Sequence, residues 1–322
     1  MRSKRTPTPI SVRSARPISV TSKLCHELKS RFLITGSSPR CRTLISHGPG
    51  IAQTRRSPRQ QRRGIIACSY CLCNPRQTAN QPRGNALPLS TLKALFFDVF
   101  GTLVDFRTGV AQEAERLLSP LGARLDWGAF ADAWRAEYQP GMEVIRAGHE
   151  GYVRLDIVHR RNLDRILPRF GLADVDEAAR GELNLAWHRL DAWPEVPAAL
   201  ARLRRRFRIA PLSNGNIALQ ADLARRNDFH WDAILGADLS RDYKPKPRLY
   251  LDAVEALGLA PGDCLMVACH SSDLATAASH GLRTAHIARP NEHGPGKGEG
   301  APSVPVDFAA ADLAALADAL GV

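Results

Sequence analysis

Acidic residues are almost missing from the first 90 positions of this 322-residue chain. Glu27 stands alone against 17 Lys and Arg, which gives that stretch +16. The remaining 232 residues hold 27 basic and 31 acidic side chains and sum to −4, so the overall charge of +12 belongs to the N-terminal stretch. That stretch also lacks a sustained hydrophobic period and is rich in Ser, Thr, Pro, Arg and Gln. Such a composition buries too little apolar surface to offset ordering, and we expect residues 1–90 to form a disordered basic extension. Two other origins fit it. An Arg- and Ser-rich, acid-poor N-terminus resembles an organellar transit segment. Alternatively, the true start lies further downstream. No methionine stands between Met1 and Met142, so a shorter product would begin at a non-Met codon near Leu92. The downstream start is the favoured expectation. The expected location is cytoplasmic, or organellar if the segment is a transit signal.

A hydrophobic run of about 18 residues is also missing, which argues against a membrane-spanning helix. Cysteine is scarce where folding is expected. Five of the seven lie in the first 90 residues, and only Cys264 and Cys269 follow, which suits a reducing compartment. Cys68, Cys71 and Cys73 include a CxxC spacing, but no second ligand pair follows at zinc-finger distance, so no metal site is expected there. Nucleic-acid binding through a basic tail gains little support, because the −4 part carries no motif for groove or base recognition.

What is present from residue 91 on is an alternation of short apolar runs and helical patterns. Strands are expected at 94–97, 208–212, 233–235, 264–268 and 284–287. Helices are expected at 197–206, 217–227, 247–257 and 274–280, with a closing amphipathic helix at 307–320. This alternation implies an α/β fold with a Rossmann-like parallel sheet and right-handed crossovers. Residues 109–190 read as helix throughout and far exceed the dozen or so residues a crossover needs. They are expected to form an inserted helical cap, with residues 91–108 and 191–322 as the core. Oligomeric state stays open, with a homodimer through apolar faces of the inserted helices as one arrangement the sequence allows.

Four polar sites follow expected strands, the place where open α/β sheets keep their chemistry. They are Asp98 with Thr102; Ser213-Asn214-Gly215; Tyr243-Lys244-Pro245; and Cys269-His270-Ser271-Ser272-Asp273. Each alone has an ordinary explanation. A strand-ending Asp caps a helix, Ser-Asn-Gly makes a turn, a Lys before Pro is a solvated loop residue, and Asp273 could cap the next helix. Together, in this order, they point to a site built around one nucleophilic carboxylate.

The set resembles the haloacid dehalogenase superfamily over residues 93–322. That resemblance implies Asp98 as nucleophile, Ser213 and Lys244 as charge-neutralising groups and Asp273 as the closing acid. Most members are magnesium-dependent phosphohydrolases, with a second acid two residues after the nucleophile and usually a DxxxD pair in the last motif. Here those positions are Phe100 and Cys269. Magnesium takes hard oxygen ligands, and a phosphate ester needs a proton donor for its leaving group, whereas a halide does not. Both departures favour carbon–halogen cleavage with no metal and no cofactor. A small-molecule phosphatase of the same superfamily is the alternative.

The resemblance narrows to the L-2-haloacid dehalogenases through Phe97-Asp98-Val99-Phe100-Gly101-Thr102-Leu103-Val104-Asp105, Leu212-Ser213-Asn214-Gly215, and Tyr243-Lys244-Pro245 with Tyr250. Trp134-Arg135 with Tyr138-Gln139 is similar to the segment that supplies the family's arginine, and Arg289 to Gly296 resembles a tail loop of one branch. The resemblance implies a small 2-haloacid substrate, an aspartyl-ester intermediate, inversion at C2 and a 2-hydroxy acid product. Lys244 would hold Asp98 ionised. Ser213 and the backbone N–H groups of Val99 and Phe100 would receive the substrate carboxylate. Arg135 and Asn214 would cradle the halide, and Tyr250 would contact substrate. Asp273 would activate water, with Thr102 positioning groups around it. His270 stands where these enzymes often have Asn. It is expected to line the substrate pocket and ranks second, behind Asp273, as the base. Halogen and chain-length preference stay open, fluoroacetate included.

Overall fold

The residues Ala94-Leu95-Phe96-Phe97 carry no polar side chain, and all four are buried. A strand of that composition needs both faces covered, as in a parallel sheet between helices. It is the inner strand β1 (Ala94–Phe97) in a computed structural model of the chain that describes residues 89–322. The expectations for residues 1–88, including the cysteine cluster, lie outside the described residues.

Five more strands complete one sheet: β2 (Arg208–Ser213), β3 (Leu235–Gly236), β4 (Cys264–Ala268), β5 (Arg283–Ile287) and β6 (Phe308–Ala310). Their order is β3-β2-β1-β4-β5-β6, and every pairing is parallel. Phe97 is in register with Pro211 on one side and Val267 on the other. From β1 the order runs outward in two directions, to β2 and to β4. Such a switch point opens a crevice at the carboxyl ends of the strands, and Asp98 is the first residue beyond β1.

Of the six α-helices between β1 and β2, the first five are α1 (Phe106–Leu118), α2 (Trp127–Ala136), α3 (Tyr138–Arg146), α4 (Leu155–Ile166) and α5 (Glu177–Asn184). Asp105, Asp126 and Asp176 start three of them by accepting the backbone N–H three residues on, which satisfies an orphan donor of the first turn. Trp134 and Trp187 meet edge to face at 5.6 Å between ring centroids, and both are fully buried. The Trp134 indole N–H also donates to the His159 carbonyl at 2.9 Å, so α2 and α4 are tied by a polar contact inside an apolar seam.

The remaining helices are α6 (Val196–Leu203), α7 (Ile217–Arg226), α8 (Ala237–Ser240), α9 (Pro247–Ala256), α10 (Ser271–Ser279) and α11 (Leu313–Ala319). Helix α6 packs against α11, and α10 against β4 and β5. Among the described residues, no helix is long and apolar enough to cross a membrane.

The structure corrects the sequence reading at three places. The segment 307–320 is not one helix but β6 followed by α11. Asp307 and Thr284 bond each other through backbone and side chain, which lays Phe308–Ala310 along β5. Asp312 then caps α11 by accepting the Ala315 N–H, so helix begins only at Leu313. The short strand expected at 233–235 is Leu235–Gly236 instead. The helix expected at 274–280 starts at Ser271, which puts Asp273 inside its first turn rather than ahead of it as a cap.

Candidate active site

Asp98 is only 8% exposed, and each of its carboxylate oxygens is held. Oδ1 accepts from Lys244 Nζ at 3.0 Å. Oδ2 accepts from the Thr102 hydroxyl at 2.8 Å and lies 3.2 Å from His270 Nδ1. Burial opposes ionisation of Asp98, but the Lys244 charge and the His270 contact outweigh it and hold the carboxyl well below the usual carboxylate range. The same exchange acts on Lys244. Burial would discharge the ammonium, while Asp273 and Asp98 hold it charged and raise its pKa.

Asp273 Oδ2 accepts from Lys244 Nζ at 2.5 Å, and its Oδ1 accepts from the Tyr250 hydroxyl at 2.6 Å. Tyr250 is fully buried, and burial together with Asp273 pushes its phenol upward, so it stays a donor. The Tyr250 hydroxyl is thus engaged with Asp273. Asn214 links the second strand end to this group, since its Oδ1 accepts the Lys244 backbone N–H at 2.8 Å. Its Nδ2 donates to the Tyr138 hydroxyl at 3.2 Å.

Opposite lies an aromatic wall. The Phe100 ring meets Tyr138 and Trp187 edge-on, at centroid distances of 6.4 and 5.7 Å. The Arg135 guanidinium, near the end of α2, sits 4.1 Å from the Tyr138 ring centroid and 4.6 Å from that of Phe106. Arg135 Nη1 is buried and has no hydrogen-bond partner among the described residues. A buried N–H of a cation with no acceptor is costly, which suits a place for an anion.

Asp98, Phe100, Arg135, Asn214, Lys244, Tyr250, His270 and Asp273 border one cavity of about 930 Å³. Three expected site residues do not border it. Thr102 lies beneath Asp98, fully buried, where its oxygen also accepts the Cys269 backbone N–H at 3.0 Å. Ser213 is fully buried, and its hydroxyl accepts the Gly215 N–H at 3.0 Å in the turn after β2. The Val99 side chain is packed in the core.

Glu292 is the residue that sequence reasoning missed. It is 2% exposed, and its Oε1 lies 2.9 Å from His270 Nε2. Burial disfavours its charge, yet the His270 contact prevails and lowers its pKa. His270 is therefore no isolated imidazole. Burial works against its charge, the Cys269 sulfur and the Asp98 and Glu292 carboxylates favour it, and its pKa lies well above the imidazole range. Burial pushes the Cys269 thiol up, so at neutral pH the negative charges facing the ring are the two carboxylates. A signal for Glu292 existed. It is an acid just beyond the carboxyl end of a buried parallel strand, in a loop braced by Arg289, whose Nε donates to the Thr102 carbonyl at 3.0 Å and whose Nη2 meets Glu195 at 2.6 Å.

Ligand-type atoms of Cys269, His270 and Glu292 lie within 4.8 Å of one another. Both ring nitrogens of His270 already face carboxylates, so these residues form an ion-pair chain and not a free ligand set. The magnesium that related folds use fits poorly as well. A neutral thiol, Cys269, stands at a position that would carry a hard oxygen ligand, and Lys244 occupies the gap between Asp98 and Asp273.

Residues 92–281 match the family model of haloacid dehalogenase-like hydrolases. The chain is 32% identical over 202 residues to an (S)-2-haloacid dehalogenase of Xanthobacter autotrophicus, spanning 62% of this chain and 76% of that protein. Among solved structures it is similar to a defluorinating L-2-haloacid dehalogenase at 42% identity and a TM-score of 0.70, covering 72% of this chain and 96% of the other. It is also similar to the L-2-haloacid dehalogenase of Xanthobacter autotrophicus with chloropropionic acid covalently bound. That match has 25% identity and a TM-score of 0.61, covering 70% and 97% of the two chains.

Proposed function

This chain belongs to the haloacid dehalogenase-like hydrolases, and from that membership we propose that it hydrolyses short 2-haloalkanoic acids to 2-hydroxy acids through an ester on Asp98. The observation that carries the reading is the pairing of two features in one cavity: a buried carboxylate kept ionised by Lys244, and an arginine whose Nη1 has no partner among the described residues, set against aromatic rings. The relatives' names agree, one of them an (S)-2-haloacid dehalogenase and another a structure with chloropropionic acid covalently bound.

In the first half-reaction an Asp98 oxygen attacks C2 in line as the carbon–halogen bond breaks, and the halide leaves with the bonding pair. Arg135, with Asn214 beside it, receives the halide, where positive charge acts on what develops in the transition state. The backbone N–H groups of Val99 and Phe100 receive the substrate carboxylate, while Ser213, buried outside the cavity, holds the turn after β2 through its bond from the Gly215 N–H. Phe100 contributes apolar wall and no proton, and a departing halide requires none. In the second half-reaction water adds to the Asp98 carbonyl carbon. Asp273, held by Lys244 and Tyr250, takes the water's proton and returns it to the leaving alkoxide. Inversion happens once, at C2, so an L-substrate gives a D-product. No step is drawn through a metal. The helices of residues 109–190 serve as a cap that brings Arg135 and Tyr138 over the core.

The test is a halide-release panel on fluoro-, chloro- and bromoacetate and both 2-chloropropionate enantiomers, with and without EDTA. EDTA-insensitive release from the L-enantiomer is expected. In ¹⁸O-water a single turnover is expected to label Asp98 and leave the first product unlabelled. Magnesium-dependent hydrolysis of p-nitrophenyl phosphate without halide release would overturn the reading in favour of a phosphatase.

A further inference from the structure

His270 spans two carboxylates. Its Nδ1 lies 3.2 Å from Asp98 Oδ2 and its Nε2 lies 2.9 Å from Glu292 Oε1. Ionised carboxylates only accept hydrogen bonds, so both ring nitrogens donate and the ring is an imidazolium. The two oxygens of Asp98 are therefore not equivalent. Oδ2 takes two donors, Thr102 and His270, which use both of its lone pairs in the plane. Oδ1 takes one, Lys244, and keeps a lone pair free. The free lone pair is the one able to attack carbon.

We propose that Oδ1 forms the ester and that His270, oriented by Glu292, is the electrophilic catalyst of ester hydrolysis, holding Oδ2 as the oxyanion. The proposal rests on the aspartyl-ester reading above. Alkylation at Oδ1 cancels the charge of Asp98 but leaves Oδ2 as a carbonyl oxygen between the same two donors. When water adds to the carbonyl carbon, the π pair moves onto Oδ2, where the Thr102 hydroxyl and the imidazolium N–H await it. The water's proton goes to Asp273. When the tetrahedral centre collapses, the bond from carbon to Oδ1 breaks, the alkoxide takes the proton from Asp273, and the hydroxyl that water left on the Asp98 carbon releases its proton to solvent, so Asp98 is again a carboxylate and the turnover yields one proton with the halide. Donors already in place where charge develops stabilise that state with no reorganisation. His270 touches the reacting oxygen. Glu292 acts through it, as a positioning residue that keeps the ring charged once Asp98 no longer does.

The other groups facing the ring fit this assignment. Cys269 Sγ lies 3.5 Å from Nε2, Lys244 shares Asp98, and His293 lies 3.5 Å from Glu292 Oε2. Arg135 acts on Glu292 by charge, and His286 is buried nearby.

The experiment is pre-steady-state reaction of the full chain with L-2-chloropropionate, following halide release and intact protein mass. His270→Asn is expected to release about one equivalent of halide in a burst. Steady-state turnover is expected to fall about 10²–10³-fold, and the protein is expected to gain the mass of the dehalogenated acid on Asp98. Glu292→Gln is expected to move the alkaline fall of turnover to lower pH, and Glu292→Asp to restore part of the shift. If His270→Asn slows the burst as much as turnover and traps no adduct, the proposal is overturned. Turnover equal to the unaltered enzyme overturns it too. Should His270→Asn fail to fold, an unchanged pH profile in Glu292→Gln overturns it by itself. Absence of any halide release from the unaltered enzyme is a different failure, that of the dehalogenase reading.

Discussion

Glu292 fills the space beside Gly101 that a side chain at position 101 would need: a Cβ there would collide with the Glu292 carboxylate. Gly101 also has φ of +83°, in the left-handed region that L side chains rarely adopt. The glycine after the nucleophile strand therefore does two things. It turns the chain past Asp98, and it leaves room for the acid that faces His270.

Gly101→Ala is expected to displace Glu292 and strain the turn. Strain at such a backbone position costs about 1–3 kcal/mol, so a lower melting temperature should accompany a loss of turnover larger than the loss of halide burst. Differential scanning fluorimetry and burst kinetics on the same sample check this. A fully stable, fully active variant would mean that the loop carrying Glu292 relaxes freely.

Lys244 sits between Asp98 and Asp273, and all three are buried. Removing one partner of a buried ionic group leaves uncompensated charge, a cost of about 3–5 kcal/mol. Lys244→Met is expected to show that loss in chemical denaturation at pH 7. The Asp98 carboxyl should rise toward and past its ordinary range, so residual alkylation should need higher pH than in the unaltered enzyme. The pH dependence of single-turnover halide release measures the shift.

Arg135→Ala removes the cation stacked between Phe106 and Tyr138. A decrease in kcat/KM of about 10²-fold is expected. It should be larger for fluoroacetate than for bromoacetate, because fluoride is the poorer leaving group and depends more on stabilisation. Equal losses for both would assign Arg135 to binding the substrate carboxylate instead.

His159 supplies an acid-lability prediction. Its ring is stacked on Trp187 at 4.2 Å, both ring nitrogens lack partners among the described residues, and burial drives its pKa down to about 3. The unfolded chain, with an ordinary imidazole, takes up a proton near pH 6.5 that the folded state refuses. Stability from this group is intact above about pH 6.5 and falls by about 1.4 kcal/mol per pH unit below it, until the folded ring titrates near pH 3. His188, whose pKa is raised by Asp156 and Asp222, is charged in both states throughout that window and does not offset the loss. His159→Phe keeps the stacking and removes the titration. Urea unfolding at several pH values from about 4.5 to 6.5 is expected to show a shallower slope in the variant.

The strand-end residues were readable because a parallel sheet imposes a simple rule. An apolar run that ends in a polar group delivers that group to the carboxyl edge. Asp98 and the Cys269-to-Asp273 segment follow β1 and β4 in this way, and Ser213 is the last residue of β2. The short strands β3 and β6 were harder. Short elements at an edge are set by partners such as Asp307 and Thr284, whose separation in sequence hides their contact.

What the sequence by itself determined is the chemistry of single positions: one carboxylate, a phenylalanine where an acid would serve phosphate transfer, and a cysteine where another acid would stand. Those are facts of side-chain type and survive any arrangement. What only the tertiary structure decided is which groups share a charge. His270 read as a lone ring because its partner lies 22 residues away, in a loop after the next strand. Ion pairing depends on distance and on exclusion of water, and neither is a property of one residue. The fold supplies both by bringing the ends of β1, β4 and β5 to one buried edge.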